Sequence, residues 1–107
     1  MAWVFILVAG LFEVAMAYSL KLSNGFSALL PSIGFVVFSV LSFGLLAMGL
    51  KTLEVGTAYA VWTGIGAVGT AALGIVVLGE NASALKIASI LLIIAGVVGL
   101  NLAGGGH

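Results

Sequence analysis

Residues 55–79 read VGTAYAVWTGIGAVGTAALGIVVLG, 25 positions without a charge. A helix needs about 20 predominantly apolar residues to cross the hydrocarbon core of a bilayer, so this stretch is long enough to do so. Its middle spells G-x-G-x-x-G at Gly64, Gly66 and Gly69. That pattern marks a dinucleotide site only where it follows a strand and opens a helix; inside an uncharged span it does neither. In a membrane helix such glycines stand for close packing, a bend or a hinge.

The rest of the chain repeats the arrangement. Of 107 residues only six are charged: Lys21, Lys51 and Lys86 against Glu13, Glu54 and Glu80. Hydrophobic residues make up 64% and the mean hydropathy is +1.43. A soluble domain carries about 25% charged residues, and six charges cannot cover the surface of a fold this small. The hydrophobicity excludes disorder, and the absence of Cys excludes a disulfide-stapled domain. A net charge of zero argues against nucleic acid as a partner. The charges bound four apolar spans, 2–20, 28–50, 55–79 and 85–103. Backbone amides in hydrocarbon must be paired within the segment, so each span is expected to be a helix. The expected fold is an all-α integral membrane protein, a single transmembrane domain over 1–107 in contact with the lipid bilayer. Residues 1–20 lack a basic start and have too long an apolar run for a signal peptide, so they are read as a retained helix. Asn24-Gly25 signals a turn, and Pro31 suits the first turn of the second helix. The tail 104–107, which holds the only His, is expected to fray.

Four spans place both termini and Lys51 on one side, with Lys21 and Lys86 on the other. Orientation follows the Lys and Arg bias of short loops, and the N-terminal amine evens the count. The chain is therefore expected to insert either way up. Transporters are commonly built from inverted repeats around a site at the midplane. Four helices are too few to hold two repeats, but a second copy in opposite orientation supplies the other. The expected working unit is an antiparallel, dual-topology homodimer.

Glu13 lies roughly 10 Å inside the first span, counting 1.5 Å per residue. A charge there costs at least about 2.5–3.5 kcal/mol, which makes such a residue a functional-site hypothesis by default. Hydrocarbon disfavours the charged form, and two such carboxyls in one dimer cavity titrate as a unit. A site of this kind holds protons or a cation, but not both. That is the logic of a proton–cation antiporter. Ala9, Gly10, Met16 and Ala17 share the Glu13 face by spacing, and most are small enough to admit a backbone or a ligand. On the third helix Tyr59, Trp62, Thr63 and Gly66 share a face. Aromatic rings attract cations most strongly when desolvated, so Tyr59 and Trp62 suit an organic-cation pocket; an interfacial aromatic belt is the other reading. Ser39 and Ser42 either hydrogen-bond to their own helix or face the pocket. A hinge at Gly64 and Gly66 suits alternating access. The fourth helix carries a ridge, Ile90, Ile93, Ile94, Gly96 and Val97, suited to helix–helix contact. No metal-ligand cluster, cofactor motif or nucleophile–base pair is present, so no enzyme is expected.

These residues carry a resemblance. Gly10-Leu11-Phe12-Glu13-Val14, Ser23-Asn24-Gly25-Phe26 with Pro31-Ser32, Gly56-Thr57-Ala58-Tyr59-Ala60-Val61-Trp62-Thr63-Gly64-Ile65-Gly66 and Ala95-Gly96-Val97 make the chain similar to the small multidrug resistance transporters over essentially its whole length. The resemblance implies a proton-coupled exporter in a bacterial inner membrane, working as an antiparallel dimer. By it Glu13 binds protons and substrate alternately, Tyr59 and Trp62 line the pocket, Ser42 hydrogen-bonds near Glu13, and the fourth helix mediates dimer contact. The Glu13 and Trp62 motifs look like the guanidinium-exporting type. Two positions depart from it. Met16 stands where that type has Trp, and Asn101 stands where it has Lys. Asn101-Leu102 looks more like the multidrug type, and Met16 is flexible enough to loosen selectivity. The expected function is export of small organic cations, guanidinium favoured, with a promiscuous exporter of quaternary ammonium and hydrophobic cations as the alternative. A small dual-topology ion channel is more distant, because an anion path offers hydroxyl and amide donors rather than a buried carboxylate.

Overall fold

The structure, a computed structural model, describes residues 2–103. The expectation that the tail frays lies outside the described residues. Four helices follow one another: α1 (Ala2–Leu22), α2 (Leu29–Gly49), α3 (Val55–Val76) and α4 (Ala84–Leu102). All four are long and apolar enough to cross a membrane, and among the described residues there is no strand.

The helix ends follow from local chemistry. α1 runs two residues beyond the expected limit, because the Ser23 N–H still donates to the Ser19 carbonyl at 2.9 Å. Ser23 then closes the helix. Its Oγ donates to the Leu20 carbonyl at 2.7 Å and accepts from the Phe26 N–H at 3.1 Å. That hydroxyl supports three successive residues of positive φ, Asn24 (48°), Gly25 (71°) and Phe26 (68°). Asn and Gly adopt this region readily, whereas a bulky Phe does not. Phe26 is braced by its edge-to-face ring contact with Phe35 of α2, at 5.4 Å. Pro31 falls in the first turn of α2, where its missing N–H has no helical partner to lose. α3 stops at Val76, three residues short of the expected end. Gly79 takes a φ of +71°, and the N–H groups of Val77 and Glu80 turn back to the carbonyls of Leu73 and Gly74. This reversal satisfies the orphan carbonyls of the last turn. Ser83 caps α4, accepting from the Lys86 N–H at 3.2 Å.

α1 is the centre of the bundle. It packs extensively on α2 and α3, which barely meet each other, while α4 rests on α3 alone. The buried core gathers Ile6 and Ala9 of α1, Leu46 of α2, Leu53 of the next loop, and Ala58, Val61 and Trp62 of α3. Large apolar side chains are exposed on all four helices. That is the distribution expected of helices facing lipid, where an apolar residue loses nothing by staying outside.

Candidate functional site

The site begins at the crossing of α1 and α3, where three glycines set how closely the helices approach. A Cβ at Gly10 would lie 2.5 Å from Ile65 Cγ2. One at Gly69 would overlap Val14, and one at Gly66 would overlap the Glu13 carboxyl. The Glu13 side chain thus occupies the notch left by the missing side chain at Gly66. Its Oε1 is buried and has no hydrogen-bond partner. Buried polar groups are normally paired, so an orphan invites an explanation.

One turn towards the N-terminus of α1 the polar groups are satisfied. Ser42 of α2 is fully buried and donates to the Ala9 carbonyl at 2.7 Å. It accepts from the Trp62 indole Nε1–H at 2.9 Å. One hydroxyl therefore ties three helices. Of the two readings open for the serines, Ser39 takes its own helix, donating to the Phe35 carbonyl at 2.7 Å, whereas Ser42 reaches across. The partners of Ser42 near Glu13 are thus the Ala9 carbonyl, one turn from Glu13 on α1, and the Trp62 indole. Trp62 is 4% exposed. Its ring lies 5.2 Å from Phe43 and 5.3 Å from Tyr59, tilted on both. Trp62 is a core residue within one chain. Tyr59 is 55% exposed and presents its other face outward.

The remaining expected residues divide. Gly10 is buried and Met16 half-buried on the Glu13 helix. Thr63 is exposed; one residue beyond Trp62, it is rotated about 100° from it by helix geometry and points away from the α1 contact. Among close packing, a bend and a hinge, packing is what the glycines display: α3 runs unbroken through them. Gly64 receives Val97 of α4, whose Cγ2 lies 2.7 Å from where a Cβ would be. Val97 is therefore engaged inside the chain, and Ile93 Cγ2 stands 3.5 Å from the same position. Ile90 is half-buried, while Ile94 and Gly96 are exposed, with open space beside Gly96. Asn101 lines a shallow cleft with Trp3 and Leu7, roughly 15 Å along α1 from Glu13 at 1.5 Å per residue. No group of His, Cys, Asp or Glu among the described residues is placed to hold a metal. The seating of Glu13 on Gly66 was not foreseen; the signal was there only as glycines within a helix that has no local need of them.

Comparison with known proteins adds to this geometry. The family model described as Small Multidrug Resistance protein matches residues 1–93. A protein named guanidinium exporter from Yersinia pseudotuberculosis serotype I (strain IP32953) is 59% identical over 103 residues, covering 96% of this chain and 99% of the relative. Guanidinium exporters of Salmonella typhimurium (strain LT2) and Escherichia coli (strain K12) are 54% and 53% identical over 102 residues, covering 95% of this chain and 97% of each relative.

Proposed function

Because the chain belongs to the Small Multidrug Resistance family, and is thus a multi-pass transporter of the bacterial inner membrane and not an enzyme, we propose that it exports guanidinium or small guanidinyl cations in exchange for protons, with Glu13 binding each in turn. The observation that carries this reading is the buried, unpartnered Glu13 oxygen on the Gly66 notch. A structural carboxyl would be hydrogen-bonded to a neighbouring helix. One without a partner is free to receive a proton or a planar cation able to donate to its oxygens. The names of the relatives favour guanidinium.

The working unit is an antiparallel homodimer. α4 buries no residue within the chain, and the Lys count leaves orientation undecided. In the dimer Tyr59 and Thr63, exposed on one edge of α3, face the shared cavity, and Ile94 and Gly96 meet the second copy. Ser42 acts by holding Trp62 and α1 in place rather than by touching Glu13. Gly64 and Gly66 let α3 shift against its neighbours. The second reading is a promiscuous exporter of quaternary ammonium and hydrophobic cations. Met16 favours it, since a flexible thioether beside Glu13 adapts to irregular shapes.

The test is electrogenic current from the purified protein in liposomes, comparing guanidinium with a tetra-alkylammonium ion. Current with guanidinium alone is the expected result, and current with the bulky cation shifts the assignment to the promiscuous type. Glu13→Gln should abolish both. Protons and substrate compete for one carboxylate, so substrate affinity should weaken as pH falls. Affinity indifferent to pH sinks the exchange mechanism. Tags on both termini should report both orientations in the membrane; a single orientation rules out the antiparallel dimer.

A further inference from the structure

A second opening lies beyond the Glu13 seat. Along α1, Ala17 and Lys21 follow Glu13 at intervals of four, on one helical face. Along α3, Thr70 and Gly74 follow Gly66 in the same way. Between these faces runs a groove of about 370 Å³. Its polar lining comes from Tyr18 and Lys21 of α1, Thr70 of α3, Glu80 of the loop after it and Lys86 of α4. The inner end, at Ala17 and Thr70, is one helical turn, about 5.4 Å along the axis, from Glu13 and Gly66.

The outer end is built around Glu80. Its carboxyl folds back onto Gly74, into the space a Cβ would fill. Its backbone N–H donates to the Gly74 carbonyl at 2.9 Å, and its Oε1 stands 3.5 Å from Lys86 Nζ. The groove therefore ends at one carboxyl seated on a glycine, and its inner end stops about one helical turn short of another. The carrier role of Glu13 alone gives no reason for this second seat.

We propose that the groove is the water and proton access route to Glu13 from one side of the membrane, with Glu80 as the carboxylate that exchanges protons with bulk water at its mouth. The proposal rests on Glu13 being the proton-binding group. The groove is many times the volume of one water, about 30 Å³. Its two lysines outweigh its one carboxylate, so it disfavours an organic cation but admits water. Tyr18 and Thr70 add hydroxyls that both donate and accept. The Glu13 carboxyl gives its proton to a groove water, that water passes another proton to the Glu80 carboxylate, and Glu80 releases it to bulk. Only O–H bonds form and break, and the charge left on Glu13 is the site the incoming cation takes.

The chain has no cysteine, so single cysteines report directly on water access in the full protein in liposomes. A thiol reacts as its thiolate, which requires hydration. Thr70→Cys is compared with Ala72→Cys, on the exposed side of α3 two residues away, using a sulfonate-bearing methanethiosulfonate. Thr70→Cys is expected to label at least about tenfold faster, reflecting a hydrated thiol against a lipid-facing one. Equal rates, or no labelling of Thr70→Cys, overturn the route. Glu80→Gln is expected to slow guanidinium-driven proton release several-fold with the half-saturating guanidinium concentration unchanged, and Glu80→Asp to recover part of the rate. An unchanged rate in Glu80→Gln overturns the role of Glu80. The reading of Glu13 fails separately, if Glu13→Gln still transports; the labelling of Thr70→Cys does not depend on that result.

Discussion

α3 and α4 are neighbours of similar length, and the less apolar of the two is the more buried. The most apolar window of α3 has a mean hydropathy of 1.5 and that of α4 has 2.2. Yet α3 buries Ala58, Val61, Trp62, Gly64, Gly66 and Gly74, and α4 buries nothing. In water that order would be reversed. In a bilayer the lipid tails are as apolar as Leu, so hydrophobicity gives no drive from lipid into the protein. Shape and polar pairing decide instead. α3 has notches at Gly66, Gly69 and Gly64 that accept Glu13, Val14 and Val97, and an indole N–H that reaches Ser42. α4 offers mostly a smooth apolar face.

The largest test of this contrast fills a notch on α3. Gly66→Val drives a branched side chain into the Glu13 carboxyl, and transport current is expected to fall by about 100-fold, as a misplacement of about 1 Å does at an active site. Size-exclusion chromatography of the detergent-solubilised variant should show the protein still folded; wild-type current would mean that the seat has no functional weight. Ser42→Ala comes next. It leaves the buried Trp62 N–H without its acceptor, at a cost of about 1–3 kcal/mol, read by denaturant titration of the purified protein. A variant as stable as the parent would show that water replaces the hydroxyl.

A matched pair sharpens the comparison further. Gly64→Ala puts a Cβ 2.7 Å from Val97 Cγ2 and should destabilise the α3–α4 contact by about 1 kcal/mol, the low end of overpacking. Gly96→Ala meets open space within the chain and should gain about 0.5–1 kcal/mol of helix stability. If cross-linking shows instead that Gly96→Ala disrupts dimers, the bare face of α4 is the one the second copy covers. The smallest effect belongs to Lys86→Gln. The Lys86 and Glu80 side chains are 34% and 48% exposed, so losing the pair should change stability by less than about 1 kcal/mol. A larger loss would show the loop clamped more firmly than its exposure implies.

The residues differ in how far they could be read from the chain alone. Glu13 is legible because one carboxylate interrupts an apolar run, and its depth follows from counting. Trp62 stands out eight residues into its span, but its packing against Ser42, Phe43 and Tyr59 is not legible in the chain. Ser42 is not, because a serine in a membrane helix has a local carbonyl always in reach, and only the convergence of Ala9 and Trp62 offers a better pair. Thr63 sits beside Trp62 in the chain, and a rotation of about 100° per residue separates the two. Val97 reads as part of an outward ridge until Gly64 is found beneath it.

By itself, then, the sequence determined four membrane-spanning helices, short connections and one carboxylate at depth, because hydrocarbon enforces both backbone pairing and the exclusion of charge on every residue it touches. Which face of each helix turns inward was decided only by the tertiary structure. Helices apolar all round carry no stripe to read, and their packing is chosen by the fit of side chains into glycine notches and by the few hydrogen bonds that can reach across.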